Sequence, residues 1–123
     1  MGAVYTSEYG IFARRSLRNS GIFQPRLGSG SLNDVGKGRG RDAQLNIPLE
    51  DGVRDATFVR VFRHVACDVI ARFRPEVMVC QCGADGLAGD PMNCFNLTAR
   101  GLCDCVKLLQ ETNIPLLLLG GGN

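Results

Sequence analysis

The first strong pattern in the chain is helical, because apolar residues recur every three or four positions between residues 58 and 73. The stripe is made of Phe58, Phe62, Val65, Val69 and Phe73. Such spacing predicts an amphipathic helix that buries one face. Asp55 is a suitable N-cap, and Pro75 cannot continue a helix, so we expect this helix to lie between them.

A second set of apolar segments follows this helix. Residues 77–82 form a nearly continuous apolar run, which is typical of a strand covered on both faces. A helix capped by Thr98 comes next, ended by Asn113 and Pro115, and residues 116–119 form another buried strand. A strand, a crossover helix and a strand predict a parallel pair whose carboxyl ends share one edge of the sheet, where α/β folds place their sites.

The first third of the chain has weaker patterns. Residues 1–43 are rich in Gly, Ser, Arg and Asn and lack sustained periodicity, so we expect them to be mostly irregular. Gln44–Pro48 alternates polar and apolar residues and predicts one short strand. The sequence therefore predicts a single small α/β domain, with a parallel sheet and flanking helices, after a divergent and irregular segment at residues 1–27.

Composition narrows the classes of function only slightly. The chain has 123 residues and a net charge of +2, which is too small to indicate direct nucleic-acid binding. The first twenty residues have no apolar run of the length that a cleavable signal needs, and the longest apolar run, residues 114–119, is far short of the ~20 residues that span a bilayer. We expect an intracellular protein that does not bind membranes.

Six cysteines occur in the second half of the chain, mostly within apolar segments. Two pairs, Cys80 with Cys82 and Cys103 with Cys105, have one residue between them, whereas zinc sites use Cys-x-x-Cys pairs. We expect the two thiols of each pair to point apart and the cysteines to be buried and reduced. A redox or metal role is the less favoured alternative.

The loop that follows residues 77–82 contains the best candidate for chemistry. Asp85 lies just past the buried strand, among glycines that let a backbone approach a ligand closely. It could be a metal ligand or a general base, or it could hydrogen-bond the backbone of a turn together with Asp90. His64, the only histidine, falls off the apolar stripe and is expected to be solvated. The glycine-rich stretch at residues 36–41 does not match a phosphate-binding Walker A loop.

Several motifs nevertheless occur together in an order that is specific. These are DVGKGRG at residues 34–40, LNIPLEDG at 45–52, QCGADGLAGDPM at 81–92, CFNLT at 94–98 and LLGGG at 118–122. In this order and spacing they closely resemble the class I zinc-dependent histone deacetylases. The resemblance extends from about residue 28 to residue 123, and residues 1–27 match poorly.

The resemblance implies an arginase-like deacetylase fold and the residue roles that go with it. Asp85 would be one of the zinc ligands of the family. Met92 would line the narrow tunnel that admits acetyl-lysine, and the glycines at the end of the last strand would lie on the same tunnel. Those glycines are Gly120, Gly121 and Gly122.

The same resemblance implies an activity, namely zinc-dependent hydrolysis of acetyl-lysine in histones or other proteins. We expect a nuclear or cytoplasmic location and membership of a co-repressor complex. The paired histidines, the Asp-x-His ligands and the catalytic tyrosine of the family have no counterpart in this sequence. We therefore expect residues 28–123 to be an incomplete part of the catalytic domain that is inactive alone. The alternative is a truncated, non-catalytic protein that acts through partner binding.

Overall fold

A computed structural model describes residues 10–14, 20–26, 33, 35, 37–38, 41–42, 44–91 and 95–121 of the chain. Five strands and two helices lie along these residues. They are β1 (Gly10–Arg14), β2 (Ser20–Arg26), β3 (Gln44–Pro48), α1 (Asp55–Phe73), β4 (Val77–Gly83), α2 (Ala99–Gln110) and β5 (Leu116–Gly121). The predicted positions of β3, β4, β5 and both helices are confirmed to within a few residues.

The five strands form one sheet in the order β3-β2-β1-β4-β5. β4 and β5 are parallel, as predicted from the crossover helix between them, and β2 and β3 are also parallel. β1 is antiparallel to both of its neighbours. The class is therefore α/β as expected. The predicted parallel pairing is confirmed for β4 and β5, but the antiparallel strand β1 makes the sheet as a whole mixed.

The strands β1 and β2 correct a second expectation. The segment at residues 1–27 was expected to be irregular, yet Gly10–Arg14 and Ser20–Arg26 are strands. β1 pairs along its whole length with β4, with Phe12 opposite Val79 and Arg14 opposite Val77. Pairing with a distant strand can impose extended structure on a segment whose own sequence has little periodicity. The proposed division at residue 27 stays a prediction.

Helix α1 buries Phe58, Phe62 and Ala66, which lie on the predicted stripe or beside it. It ends where expected, just before Pro75, and Arg74 adopts a left-handed conformation (φ 50°) whose N–H donates to the Ile70 carbonyl. Asp55 is the first residue of this helix, and the N-cap is Arg54, whose side chain makes no capping bond. The predicted cap is therefore wrong.

The Asp55 carboxylate instead binds the start of α2. Its two oxygens accept hydrogen bonds from the Thr98 backbone N–H (2.8 Å) and the Thr98 hydroxyl (2.5 Å). Thr98 caps α2, as predicted, because its side chain accepts from the Gly101 N–H. A Cβ atom on Gly101 would overlap the Asp55 carboxylate, so the absence of a side chain at Gly101 permits this contact.

Both helices pack on one face of β4. The side chains with less than 2 % of their surface exposed include Phe58 of α1, Met78 of β4 and Leu109 of α2, with Leu97 from the segment before α2. Cys80 and Cys105 are buried in the same cluster. The core is thus a single layer between the helix pair and one side of the sheet.

The strand β5 lies at the edge of the sheet and is poorly covered. Leu117, Leu118 and Leu119 are 54 %, 45 % and 41 % exposed, so the prediction of a buried strand is wrong for these residues. β4, by contrast, is flanked by β1 and β5. Within the described part of the chain, no helix is long and apolar enough to cross a bilayer.

The exposed leucines of β5 predict self-association of the chain. An apolar strand with free backbone groups along one side invites pairing with another strand, and a charge at its centre opposes this. We expect Leu117→Lys to increase the monomer fraction in size-exclusion chromatography without loss of helical circular dichroism. Ala71→Lys, which adds the same charge at an exposed site on α1, is the control and should leave association unchanged. Equal effects of the two variants on the monomer fraction would contradict the role of β5 in self-association.

The bonds between Asp55 and Thr98 predict a pH dependence of stability. Hydrogen bonds from the Thr98 hydroxyl, then from the Thr98 N–H, and last from the Gly101 N–H lower the pKa of Asp55 below its usual value of 3.8. A lowered folded-state pKa means that this stabilisation is present above about pH 3.8 and is lost as the pH falls through the folded-state value.

In the Leu117→Lys background, Asp55→Asn should lower the free energy of unfolding by urea at pH 7. The difference from its parent should shrink below pH 3.8. Thr98→Ala should cost about 1 kcal/mol through the lost cap. Asp68→Asn is the control, since Asp68 makes only an exposed pair with Arg72 and such pairs contribute little. A pH-independent effect of Asp55→Asn would refute the explanation.

Candidate functional site

The candidate site begins where β4 ends. A single 3₁₀ turn, Ala84–Gly86, follows Gly83 directly and places Asp85 two residues past the strand. In the parallel register Gly120 lies opposite Cys82, and Gly121 lies opposite Gly83. The loop containing Asp85 and the glycines of β5 therefore emerge at the same edge of the sheet, as predicted.

Backbone hydrogen bonds fix the loop after this turn. The Leu87 N–H donates to the Ala84 carbonyl (3.0 Å), which closes the turn around Asp85. The Ala88 N–H donates to the Leu97 carbonyl (2.9 Å), and the Leu97 N–H donates to the Gly86 carbonyl (3.3 Å). Since Leu97 is itself buried in the core, the turn that contains Asp85 is anchored to the interior of the molecule.

Asp85 lies in an environment that does not favour a free carboxylate. Partial burial is the main cause that raises its pKa, and the nearby Asp90 adds to it, while a hydrogen bond from the Asp85 backbone N–H acts in the opposite direction. A cation bound to Asp85 would relieve both unfavourable effects. A proton would do the same, so the electrostatics fit a metal ligand and a general base equally well.

The same loop also has features of the alternative, in which Asp85 and Asp90 stabilise a turn. The Asp90 N–H donates to the Leu87 carbonyl (3.2 Å), and Gly89 adopts a left-handed conformation (φ 92°) that favours glycine. The region around Asp90 is therefore organised as a tight turn. The Asp85 carboxylate accepts a hydrogen bond from its own backbone N–H, so the turn-forming role applies to Asp85 as well and is not separated from the metal-ligand role by this geometry.

The other predicted site residues are only partly within the described structure. Met92 and Gly122 lie outside the described residues. A Cβ atom on Gly120 would meet no atom within 4 Å, so local packing does not require glycine at that position. His64 is exposed on α1, which confirms the prediction that it is solvated. Among the described residues, no three His, Cys, Asp or Glu side chains are grouped closely enough to bind a metal ion.

The geometry of the two cysteine pairs differs from the prediction for one pair. Cys80 and Cys82 do not point apart, because residues two positions apart on a strand share a face, and their Sγ atoms lie 3.7 Å from each other. Cys103 and Cys105 do diverge on α2, since Cys103 is exposed and Cys105 is buried. The alternation of side chains along β4 was the signal that could have identified the close pair.

The expectation of buried, reduced thiols holds for some of the cysteines. Cys80, Cys82 and Cys105 are free thiols that are fully or partly buried, and burial raises the pKa of Cys105 to about 12. Cys67 and Cys103 are free but exposed. Cys94 lies outside the described residues.

An apolar groove of about 440 Å³ lies between α2 and the ends of β4 and β5. Its walls include Cys82, Leu87, Leu102, Val106 and Leu118. Asp85 does not line this groove. Sequence reasoning did not predict it, because it forms only when the second helix is placed on the sheet.

Comparison with known proteins gives this geometry a context. Residues 7–123 match the model of the histone deacetylase domain, so the match begins well before residue 28, where the sequence resemblance was expected to start. The chain is 45 % identical over 95 residues to histone deacetylase 1 of Oryza sativa subsp. japonica and 46 % identical to histone deacetylase 19 of Arabidopsis thaliana. It is 43 % identical over 95 residues to histone deacetylase 1 of Homo sapiens.

These alignments cover most of the chain but little of its relatives. They include 77 % of this chain and 18 %, 19 % and 20 % of the three relatives, respectively. The chain therefore spans about a fifth of the length of the curated relatives that it matches.

Proposed function

The chain belongs to the histone deacetylase family, and we propose that it forms part of the arginase-like catalytic domain of a zinc-dependent lysine deacetylase. The observation that carries the proposal is the position of Asp85. It lies in an anchored turn at the carboxyl edge of parallel strands, where α/β folds place their sites, within the motif that resembles the family. The family matches over residues 7–123 support the same conclusion.

Zinc is the cofactor that the proposal implies, and the described residues do not fit a complete zinc site. A catalytic zinc uses three protein ligands and leaves a position open for water or substrate. Asp85 is the only such ligand that we assign, and among the described residues no group of three His, Cys, Asp or Glu side chains could bind a metal ion. We therefore assign Asp85 as one ligand of a site whose other ligands come from the remainder of a complete enzyme.

The substrate in this proposal is an acetylated lysine of a histone or another protein, and the reaction is hydrolysis of its amide bond. Met92 and the glycines at positions 120–122 are proposed to line the lysine tunnel. Gly120 and Gly121 lie at the same sheet edge as Asp85, which supports that assignment. A nuclear or cytoplasmic location and a co-repressor complex are parts of the proposal that follow from the family alone.

The alternative function is a truncated, non-catalytic protein that acts through partner binding. Its main support is the exposed leucine strand β5. A sheet edge that other parts of a catalytic domain would cover explains the same exposure, so this observation does not favour the alternative. We retain the deacetylase proposal.

Because Asp85 is the only zinc ligand that we assign, we expect that the 123-residue chain alone does not hydrolyse acetyl-lysine. The purified chain, with and without added zinc, would be incubated with an acetylated histone peptide and the released acetate measured. We expect no release above that of the Asp85→Ala variant, because one carboxylate cannot retain a catalytic zinc. Turnover by the chain that is lost in Asp85→Ala would contradict this expectation and show a complete site.

The assignment of Asp85 can be tested in a complete relative that carries the same loop. Replacing the aspartate that corresponds to Asp85 by Asn exchanges an anionic ligand for a neutral amide, which weakens attraction for a dication in a partly desolvated pocket. We expect zinc per protein after dialysis, measured by mass spectrometry, to fall from about one to well below one, with activity lost in parallel.

The Asp→Asn change at the position of Asp90 is the matched control, because it removes a nearby charge from the turn without removing the proposed ligand. It should leave zinc near stoichiometric. Full zinc retention in the first variant, or equal loss in both, would remove Asp85 from the ligand set.

A further inference from the structure

The thiols of Cys80 and Cys82 form a close pair on the helix-covered face of β4. Their Sγ atoms are 3.7 Å apart, and the Cys82 Sγ also lies 3.9 Å from the Cys80 carbonyl oxygen. A disulfide requires the sulfur atoms to approach to about 2.0 Å, so the two residues are separate, free thiols. They are nevertheless close enough for a single atom to bond both.

The surroundings of this pair select the kind of ligand that it can take. Burial raises the pKa of Cys80 well above its usual range, and the neighbouring Cys82 raises it further. Both sulfur atoms lie next to the buried core, where a charge is costly unless it is paired. A reagent that is neutral before and after it bonds to the two thiols suits these surroundings best.

The apolar groove beside the pair favours a ligand that also carries an apolar group. Cys82 lines the apolar groove of about 440 Å³, together with Leu102, Val106 and Leu118. Cys80 is only 4 % exposed, whereas Cys82 is half-buried, so a ligand reaches Cys82 first and Cys80 second. A ligand with an apolar ring would place that ring against the aliphatic walls of the groove.

We propose that Cys80 and Cys82 form a dithiol binding site for trivalent aryl arsenicals, with the aryl group in the adjoining groove. Both S–H bonds and the arsenic–oxygen double bond of an aryl arsenic oxide break, and two arsenic–sulfur bonds form. The two thiol protons leave with the oxygen as one water molecule. Arsenic stays trivalent and neither sulfur is oxidised, so the reaction needs no oxidant or reductant. Asp85 takes no part in it.

The proposal is tested with phenylarsine oxide and the full chain. We expect intact-protein mass spectrometry to show one phenylarsenic group that persists in excess glutathione, a monothiol, and is removed by 2,3-dimercaptopropanol, a dithiol. A chelate across two sulfurs resists a monothiol, because both bonds must be exchanged before the ligand leaves.

Single cysteine substitutions test whether the adduct forms on Cys80 and Cys82. Cys80→Ala and Cys82→Ser should each lower the glutathione-resistant fraction at least tenfold, whereas Cys103→Ser, which changes the other cysteine lining the groove, should leave it unchanged. Circular dichroism confirms that the variants fold, and the half-buried Cys82→Ser decides the result if Cys80→Ala does not fold. A resistant adduct that survives in Cys82→Ser, or one that is lost in Cys103→Ser, would overturn the proposal.

Discussion

The packing of two helices against one face of β4 is the constraint on which the rest of the structure depends. Phe58 of α1 and Leu109 of α2 are both almost fully buried against Met78, and no other described segment supplies a second core. Burial of a side chain of this kind stabilises a fold by about 1.5–3 kcal/mol, so a few such residues decide whether the layer forms. Because β4 is fixed by this layer, the point at which it ends is fixed as well.

The packed layer of helices and β4 determines the position of the candidate site. The turn around Asp85 starts at the end of β4, and its backbone is bonded to Leu97, which is a core residue. Leu97 precedes the Thr98 cap of α2, and Thr98 is bound to Asp55 at the start of α1. The site loop, both helix starts and the core are therefore connected by a short series of hydrogen bonds and apolar contacts.

Much of this arrangement could be predicted from the sequence, because it arises from local patterns. The stripe of α1, the apolar run of β4 and the Thr98 cap each depend on residues a few positions apart. The placement of β1 between β2 and β4 could not be predicted in this way, because strand pairing joins distant residues and Gly10–Arg14 has no alternation of its own. The carboxylate Asp85 could be located from the end of a strand, but its partial burial and the adjoining groove follow only from the packed structure.

The contact between Gly101 and Asp55 has a consequence for protein engineering. Glycine within a helix is usually an obvious target for stabilisation, since alanine is favoured over it by up to about 1 kcal/mol. In α2 the same exchange would place a methyl group on the Asp55 carboxylate, which is bonded to Thr98. A propensity scale applied to this helix would therefore recommend a substitution that displaces Asp55 from Thr98 and weakens the contact between the two helices.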